Sequence, residues 1–117
     1  MSDKKTIEAP AIPQERMKEL LLFQENAGLH FNDISILDNA FIHSSFANEC
    51  RGSGIKDNER LEFLGDSVLS IVVSQWLYRN LEGDEGECTR VRSAVVSEDS
   101  LSIVAKNLEL DRYLIIG

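Results

Sequence analysis

The chain has 117 residues, with 12 Lys and Arg against 20 Asp and Glu, which gives a formal net charge of −8. That length predicts one domain, and hydrophobic residues at 43% are enough to build a packed core. No apolar run approaches the roughly 18 residues of a membrane span, and the polar start predicts no secretory signal. The acidic balance by itself argues against a nucleic-acid partner, because phosphates repel a negatively charged surface.

The apolar spacing predicts an all-α fold, because no segment alternates apolar and polar side chains for long enough to form a strand. We interpret residues 1–13 as a flexible leader and 14–117 as the helical region. Five helices are predicted in chain order. The first spans about 14–26, and the second is capped by Ser35 and ends at 43–45. The third spans about 58–80 with Asp57 as its cap, the fourth spans about 87–96, and the fifth is capped by Ser97. The stretch 47–57 has the composition of a loop, and 113–116 is a final apolar piece.

The cysteine content indicates the compartment. Cys50 and Cys88 are too few for a disulfide framework and do not have the spacing of a metal finger. We therefore expect two reduced thiols in a cytoplasmic protein.

Three carboxylates recur on one face of the long predicted helix. At about 100° per residue, Glu59, Glu62 and Asp66 fall within a stripe about 60° wide. Val73 and Leu77 continue that stripe where the helix is apolar all round, a pattern typical of a buried helix. Carboxylates on a buried face need a compensating charge, and oxygen ligands alone favour Mg²⁺, Mn²⁺ or Ca²⁺ over zinc. The alternative is a solvated acidic face.

A nine-residue segment of this helix resembles the signature motif of ribonuclease III: Glu59-Arg60-Leu61-Glu62-Phe63-Leu64-Gly65-Asp66-Ser67. The segment 40–46 resembles the family's Thr-His-x-Ser motif, with Ile42 in place of the usual Thr, and 84–92 resembles its Glu-Gly stretch. The resemblance covers about 15–117. It implies a helical, homodimeric endonuclease domain that cuts double-stranded RNA into products with 5′-phosphates, 3′-hydroxyls and short 3′ overhangs, in the processing of ribosomal and messenger RNA.

The resemblance also implies roles for particular residues. Glu62 and Asp66 match the catalytic and metal-binding positions, for which Mg²⁺ is the expected cofactor and Mn²⁺ a substitute. Glu59 and Glu85 match further acidic positions of the same cleft. Phe63 matches a residue that packs against the partner subunit, and a plain core position is its alternative.

Two further sets of residues have competing interpretations. Thr89, Arg90 and Arg92 lie near the start of the helix that follows the acidic turn, where they could contact RNA phosphates or be solvated surface groups. His43 is attractive as a general acid or base, but with no second partner visible we favour a structural histidine that bridges helix ends.

The resemblance implies a second Asp–Glu pair on a later helix and a C-terminal double-stranded-RNA-binding domain, and neither occurs in these 117 residues. We therefore expect an N-terminal portion of the endonuclease domain that has little or no nuclease activity alone. The alternatives are a non-catalytic RNA-binding or dimerisation module of the same fold and an unrelated acidic protein-interaction domain. Four carboxylates that converge on one site would favour the enzyme.

Overall fold

The computed structural model describes residues 10–117, so most of the predicted leader lies outside the described residues. Its helices are α1 (Gln14–Ala27), α2 (Ile34–Ala40), α3 (Ser44–Glu49), α4 (Glu59–Asn80), α5 (Glu85–Val95) and α6 (Glu98–Asn107), followed by a 3₁₀ turn at Leu110–Arg112. No strand occurs within 10–117, where a single parallel bridge pairs Ile42 with Ile115, and the all-α prediction is confirmed. None of the helices described is both long and apolar enough to cross a membrane.

The described residues form two compact units. One contains the chain up to Glu59 together with Arg112–Gly117, and the other contains Arg60–Asp111. The first unit holds α1, α2 and α3, while the second holds nearly all of α4 together with α5 and α6.

The core of the first unit is an aromatic cluster. The Phe23 ring meets Phe41 and Tyr113 edge-on, with centroids 5.1 Å away in both cases. Tyr113, the first residue of the final apolar piece, is 2% exposed and packs into this core, while Leu114 and Ile116 of that piece are exposed. Beside the cluster, the Arg16 guanidinium donates to the Asp38 carboxylate at 2.8 Å and lies over the Phe41 ring. The fold therefore depends on contacts between residues far apart in sequence.

Backbone hydrogen bonds hold the segment between α2 and α3 in place. The His43 N–H donates to the Ile115 carbonyl at 3.0 Å, and the Ile115 N–H donates to the Phe41 carbonyl at 2.9 Å. The Asn58 N–H donates to the Ile42 carbonyl at 2.9 Å. The residue just before α4 is thereby fixed to the core of the first unit.

Helix ends differ from the predictions in three places. Asp33, not Ser35, caps α2, because its carboxylate accepts the Ser35 N–H at 3.1 Å. Helix α2 ends at Ala40, before the predicted end at 43–45, and α3 occupies that segment and the first residues of the predicted loop 47–57. The six residues of α3 are too few to show a helical period, and its cap is His43. Helix α5 begins at Glu85 because Asp84 caps it. The prediction of Ser97 as the cap of α6 is confirmed.

The cap of α2 can be tested by a pair of substitutions. Asp33→Ala should lower the free energy of unfolding by about 1 kcal/mol, because it removes an acceptor from an exposed helix N-terminus. Ser35→Ala, the control, should lower it by less than about 0.5 kcal/mol, since the Ser35 backbone N–H remains. Urea denaturation followed by circular dichroism measures both, and a larger loss in Ser35→Ala would contradict this assignment.

Candidate functional site

The start of α4 is fixed by side chains that precede it. The Asp57 carboxylate accepts the Glu59 N–H at 3.1 Å, which satisfies a donor that the helix leaves free. The Asn58 amide donates to the Ala40 carbonyl at 2.8 Å, and the Asn39 amide donates to the Asp57 carbonyl at 2.9 Å. These bonds confirm the predicted role of Asp57 and set the position from which the acidic stripe begins.

Glu62 and Asp66 lie side by side on α4, one turn apart, and both side chains are exposed. At this spacing the Cβ atoms of a helix are about 5–6 Å apart, so two carboxylates can face one cation. Glu59 lies on the same stripe, but seven residues before Asp66, about 10 Å along the axis. No group of three or more His, Cys, Asp or Glu side chains within 10–117 is placed to hold a metal. Helix geometry therefore makes Glu62 and Asp66 neighbours on an exposed face, and no third such side chain joins them in a metal-binding group among the described residues.

The expected burial of this helix is only partly present. Leu77 is 4% exposed and Val73 is half-buried, so the stripe is packed at its C-terminal end. Five apolar side chains of α4 lie outside this stripe and are 50–69% exposed, and we call them the outer face: Leu64, Val68, Ile71, Val72 and Trp76. The prediction of a buried helix is wrong for the chain as described, because burial needs neighbours that a helical wheel does not show. The argument for a bound cation therefore rests on the carboxylate oxygens of Glu62 and Asp66 and not on their burial.

Glu85 lies away from the pair. Asp66 is 14 residues before the end of α4 at Asn80, which is about 21 Å along the axis. Glu85 begins α5 just after that end, and α5 folds back so that Arg92 reaches Ser74 at 2.9 Å. The expectation that all four carboxylates share one cleft is therefore not met within a single described chain.

The three candidate RNA-contacting residues fall into two groups. Thr89 and Arg90 are exposed on α5. Arg92 is half-buried, and its Nη1 donates to the Ser74 hydroxyl at 2.9 Å. The sequence analysis does not predict a role for Ser74. Its position as a polar residue close to the packed side of α4 is the signal that could have indicated one.

Phe63 is 80% exposed, which is inconsistent with a plain core position within the described chain. An exposed aromatic ring beside an apolar face is typical of a contact surface.

His43 has the structural role that we favoured. Its Nδ1 accepts the Ser45 N–H at 3.1 Å at the start of α3, while its backbone N–H donates to the Ile115 carbonyl. Its role is therefore structural, but these bonds join the start of α3 to the C-terminal segment at Ile115 and not to the end of another helix.

Comparison with known proteins agrees with this geometry. A family model described as ribonuclease-III-like matches residues 33–117. Ribonuclease 3 of Treponema denticola is 48% identical over 104 residues, or 88% of this chain and 42% of that protein. Ribonuclease 3 of Enterococcus faecalis is 48% identical over 95 residues, or 80% of this chain and 41% of that protein. The chain thus spans about two fifths of the length of these relatives.

A solved nuclease domain of ribonuclease III from Campylobacter jejuni superposes with a TM-score of 0.71 at 33% identity. The match covers 81% of this chain and 63% of that one, and that structure is described as flexible in a region involved in dimer formation. Since the region matched by the family model includes all of α4 with its two neighbouring carboxylates, the chain belongs to the ribonuclease III family.

Proposed function

We propose that this chain is part of a metal-dependent endoribonuclease that hydrolyses phosphodiesters of double-stranded RNA and leaves 5′-phosphate and 3′-hydroxyl ends with short 3′ overhangs. The supporting observation is the exposed Glu62–Asp66 pair, one turn apart on α4, in a chain of this family. The proposed setting is the cytoplasmic processing of ribosomal and messenger RNA.

Mg²⁺ is the cofactor that suits this pair of donors. The ion keeps several waters and is commonly held by one or two carboxylates, so Glu62 and Asp66 are sufficient protein ligands. Mn²⁺ has the same preference for carboxylate and water, and should substitute. When bound, the cation would polarise a phosphoryl oxygen and lower the pKa of a bound water. The chain's own contribution is to hold two carboxylates at a fixed spacing on an exposed helix.

RNA contacts are proposed for the exposed side of α5. Arg90 and Thr89 supply a cation and a hydroxyl, the side-chain types that commonly bind phosphate oxygens. The negative net charge makes bound cations important, since they reverse the sign of the local field at the carboxylates.

We also propose that α4 forms the homodimer contact through Phe63 and the outer face. These side chains form an apolar surface on one helix, and such patches are typical of protein interfaces. The Campylobacter jejuni domain, whose description refers to dimer formation, supports a dimer, and the choice of α4 rests on its exposed apolar side chains.

Metal binding can be tested without catalysis. At a Mn²⁺ concentration ten times the dissociation constant, binding should stabilise the protein by about 1.4 kcal/mol and raise Tm by several degrees. Glu62→Gln should remove most of that rise, because it removes a charged ligand. The control is Glu82→Gln, an exposed glutamate outside α4, which should keep the full rise. Calorimetric titration and thermal melting provide the measurements, and an equal shift in Glu62→Gln would rule out this metal site.

The reaction itself is tested by incubating the protein with double-stranded RNA and Mg²⁺ and mapping the product ends. The 117-residue chain, which spans about two fifths of the length of its relatives, should cleave weakly or not at all, and a polypeptide that covers the relatives' full length should cleave robustly. Stable binding without cleavage by either polypeptide would favour the alternative, a non-catalytic RNA-binding module.

A further inference from the structure

Arg92 differs from the other candidate RNA-contacting residues in its surroundings. Its Nη1 donates to the Ser74 hydroxyl at 2.9 Å, and that hydroxyl donates to the Ser70 carbonyl at 2.7 Å. Arg92 and Ser74 are both half-buried, and both belong to the second compact unit. This is the one side-chain hydrogen bond between α4 and α5 among the described residues.

The direction of the side chain follows from helix geometry. Arg90 and Arg92 are two residues apart, which places them about 200° apart around α5. Since Arg92 is directed at α4, Arg90 lies on the other side of the helix, where it is exposed. The two arginines therefore cannot approach the same strand of a nucleic acid from one surface of α5.

Arg92 is also held by a hydroxyl rather than by an opposite charge. The ion pairs described within 10–117 involve Arg16 and Lys18, and none involves Arg92. Its position in the last turn of α5 is one where the helix dipole favours a cation. A guanidinium with these neighbours is suited to hold two helices together.

We propose that Arg92 is a positioning residue that fixes α5 to α4 through Ser74 and so sets where Arg90 and Thr89 lie relative to the Glu62–Asp66 pair. This inference rests on the proposed function, in which Arg90 and Thr89 contact RNA. Because the Arg92–Ser74 bond is the one side-chain hydrogen bond between the two helices among the described residues, its loss leaves only apolar packing and the turn 81–84 to hold α5 against α4. Arg92 thus acts on RNA binding through α5 and does not contact a phosphate.

The test measures binding of a short RNA duplex by fluorescence anisotropy at several salt concentrations. Arg92→Ala and Ser74→Ala should each weaken binding about fivefold, and the double variant should bind no more weakly than Arg92→Ala alone. Neither should change the slope of log K against log salt concentration, because no phosphate contact is lost. Arg90→Ala should reduce that slope by about 1. Arg92→Lys, which keeps a donor for Ser74, should recover most of the affinity.

Two results would overturn the proposal. In the first, Arg92→Ala reduces the salt slope as much as Arg90→Ala does, and Ser74→Ala binds RNA with wild-type affinity. Arg92 would then be a phosphate contact. If the unsubstituted chain binds no duplex, the RNA part of the proposed function fails for this chain, and hydrogen exchange decides the helix link separately. Faster exchange of the α5 amides in both Arg92→Ala and Ser74→Ala supports the link, and unchanged exchange overturns it.

Discussion

Replacing Asp66 by Asn is expected to lower the rate of double-stranded RNA cleavage by about a hundredfold or more while the fold is preserved. The Asp66 side chain is exposed and makes no hydrogen bond among the described residues, so the substitution should not disturb packing. The amide that replaces the carboxylate is neutral, so it binds a divalent cation much more weakly. Substituting a residue that only hydrogen-bonds to a metal ligand commonly lowers metal affinity or activity 10–100-fold. Substituting a ligand itself should therefore lower the rate by about a hundredfold or more.

This comparison should be made in a polypeptide that covers the relatives' full length, because the 117-residue chain, which spans about two fifths of it, is expected to be nearly inactive. Asp99→Asn on α6 is the matched control, since it removes an exposed aspartate away from α4 and should leave the rate unchanged. Equal melting temperatures would show that both variants are folded. Wild-type cleavage by Asp66→Asn would exclude Asp66 as a catalytic metal ligand.

Replacing Tyr113 by Ala should destabilise the first unit by about 3–5 kcal/mol, the cost of removing a large aromatic side chain from a core. Tyr113 is 2% exposed and packs against both Phe23 and Phe41. Its neighbour Ile115 bridges to Ile42, so the segment before α3 loses support together with the ring. Tm should fall by about 10 °C or more.

Tyr78→Ala is the control for this prediction, because Tyr78 is 88% exposed and its removal should change stability by less than about 0.5 kcal/mol. Unfolding should be followed by circular dichroism, which measures the helices of the first unit directly, since the only tryptophan, Trp76, belongs to the second unit. A loss below about 1 kcal/mol in Tyr113→Ala would show that the aromatic cluster is not the main support of this unit.

The long helix and its acidic pair were predictable from the sequence because both depend on local geometry. Spacing within one helix is set by a constant rise and rotation, so Glu62 and Asp66 must lie on one face wherever the helix lies. The caps at Asp57 and Ser97 were predictable for the same reason, since they satisfy donors within three residues. The signature segment added the family, which the comparison with known proteins confirmed.

Short or ambiguous local signals were predicted less well. Helix α3 has only six residues, and it is stabilised by the His43 cap and by the bonds that hold 41–43 in place, which no period reveals. The start of α2 is predicted two residues late because Asp33 and Ser35 are both good caps, and the choice depends on which side chain meets a free N–H.

Fold class, helix positions and the Glu62–Asp66 pair follow from residues near one another in the chain, so local chemistry was enough to determine them. Which faces of α4 are covered, where Glu85 lies and what Arg92 contacts depend on groups brought together from distant positions. Arg90 and Arg92 are similar in sequence, yet one is exposed and the other bonds to Ser74, 18 residues away. Their environments differ only because α5 packs on α4, since the burial and the hydrogen-bond partners of a side chain depend on contacts between elements.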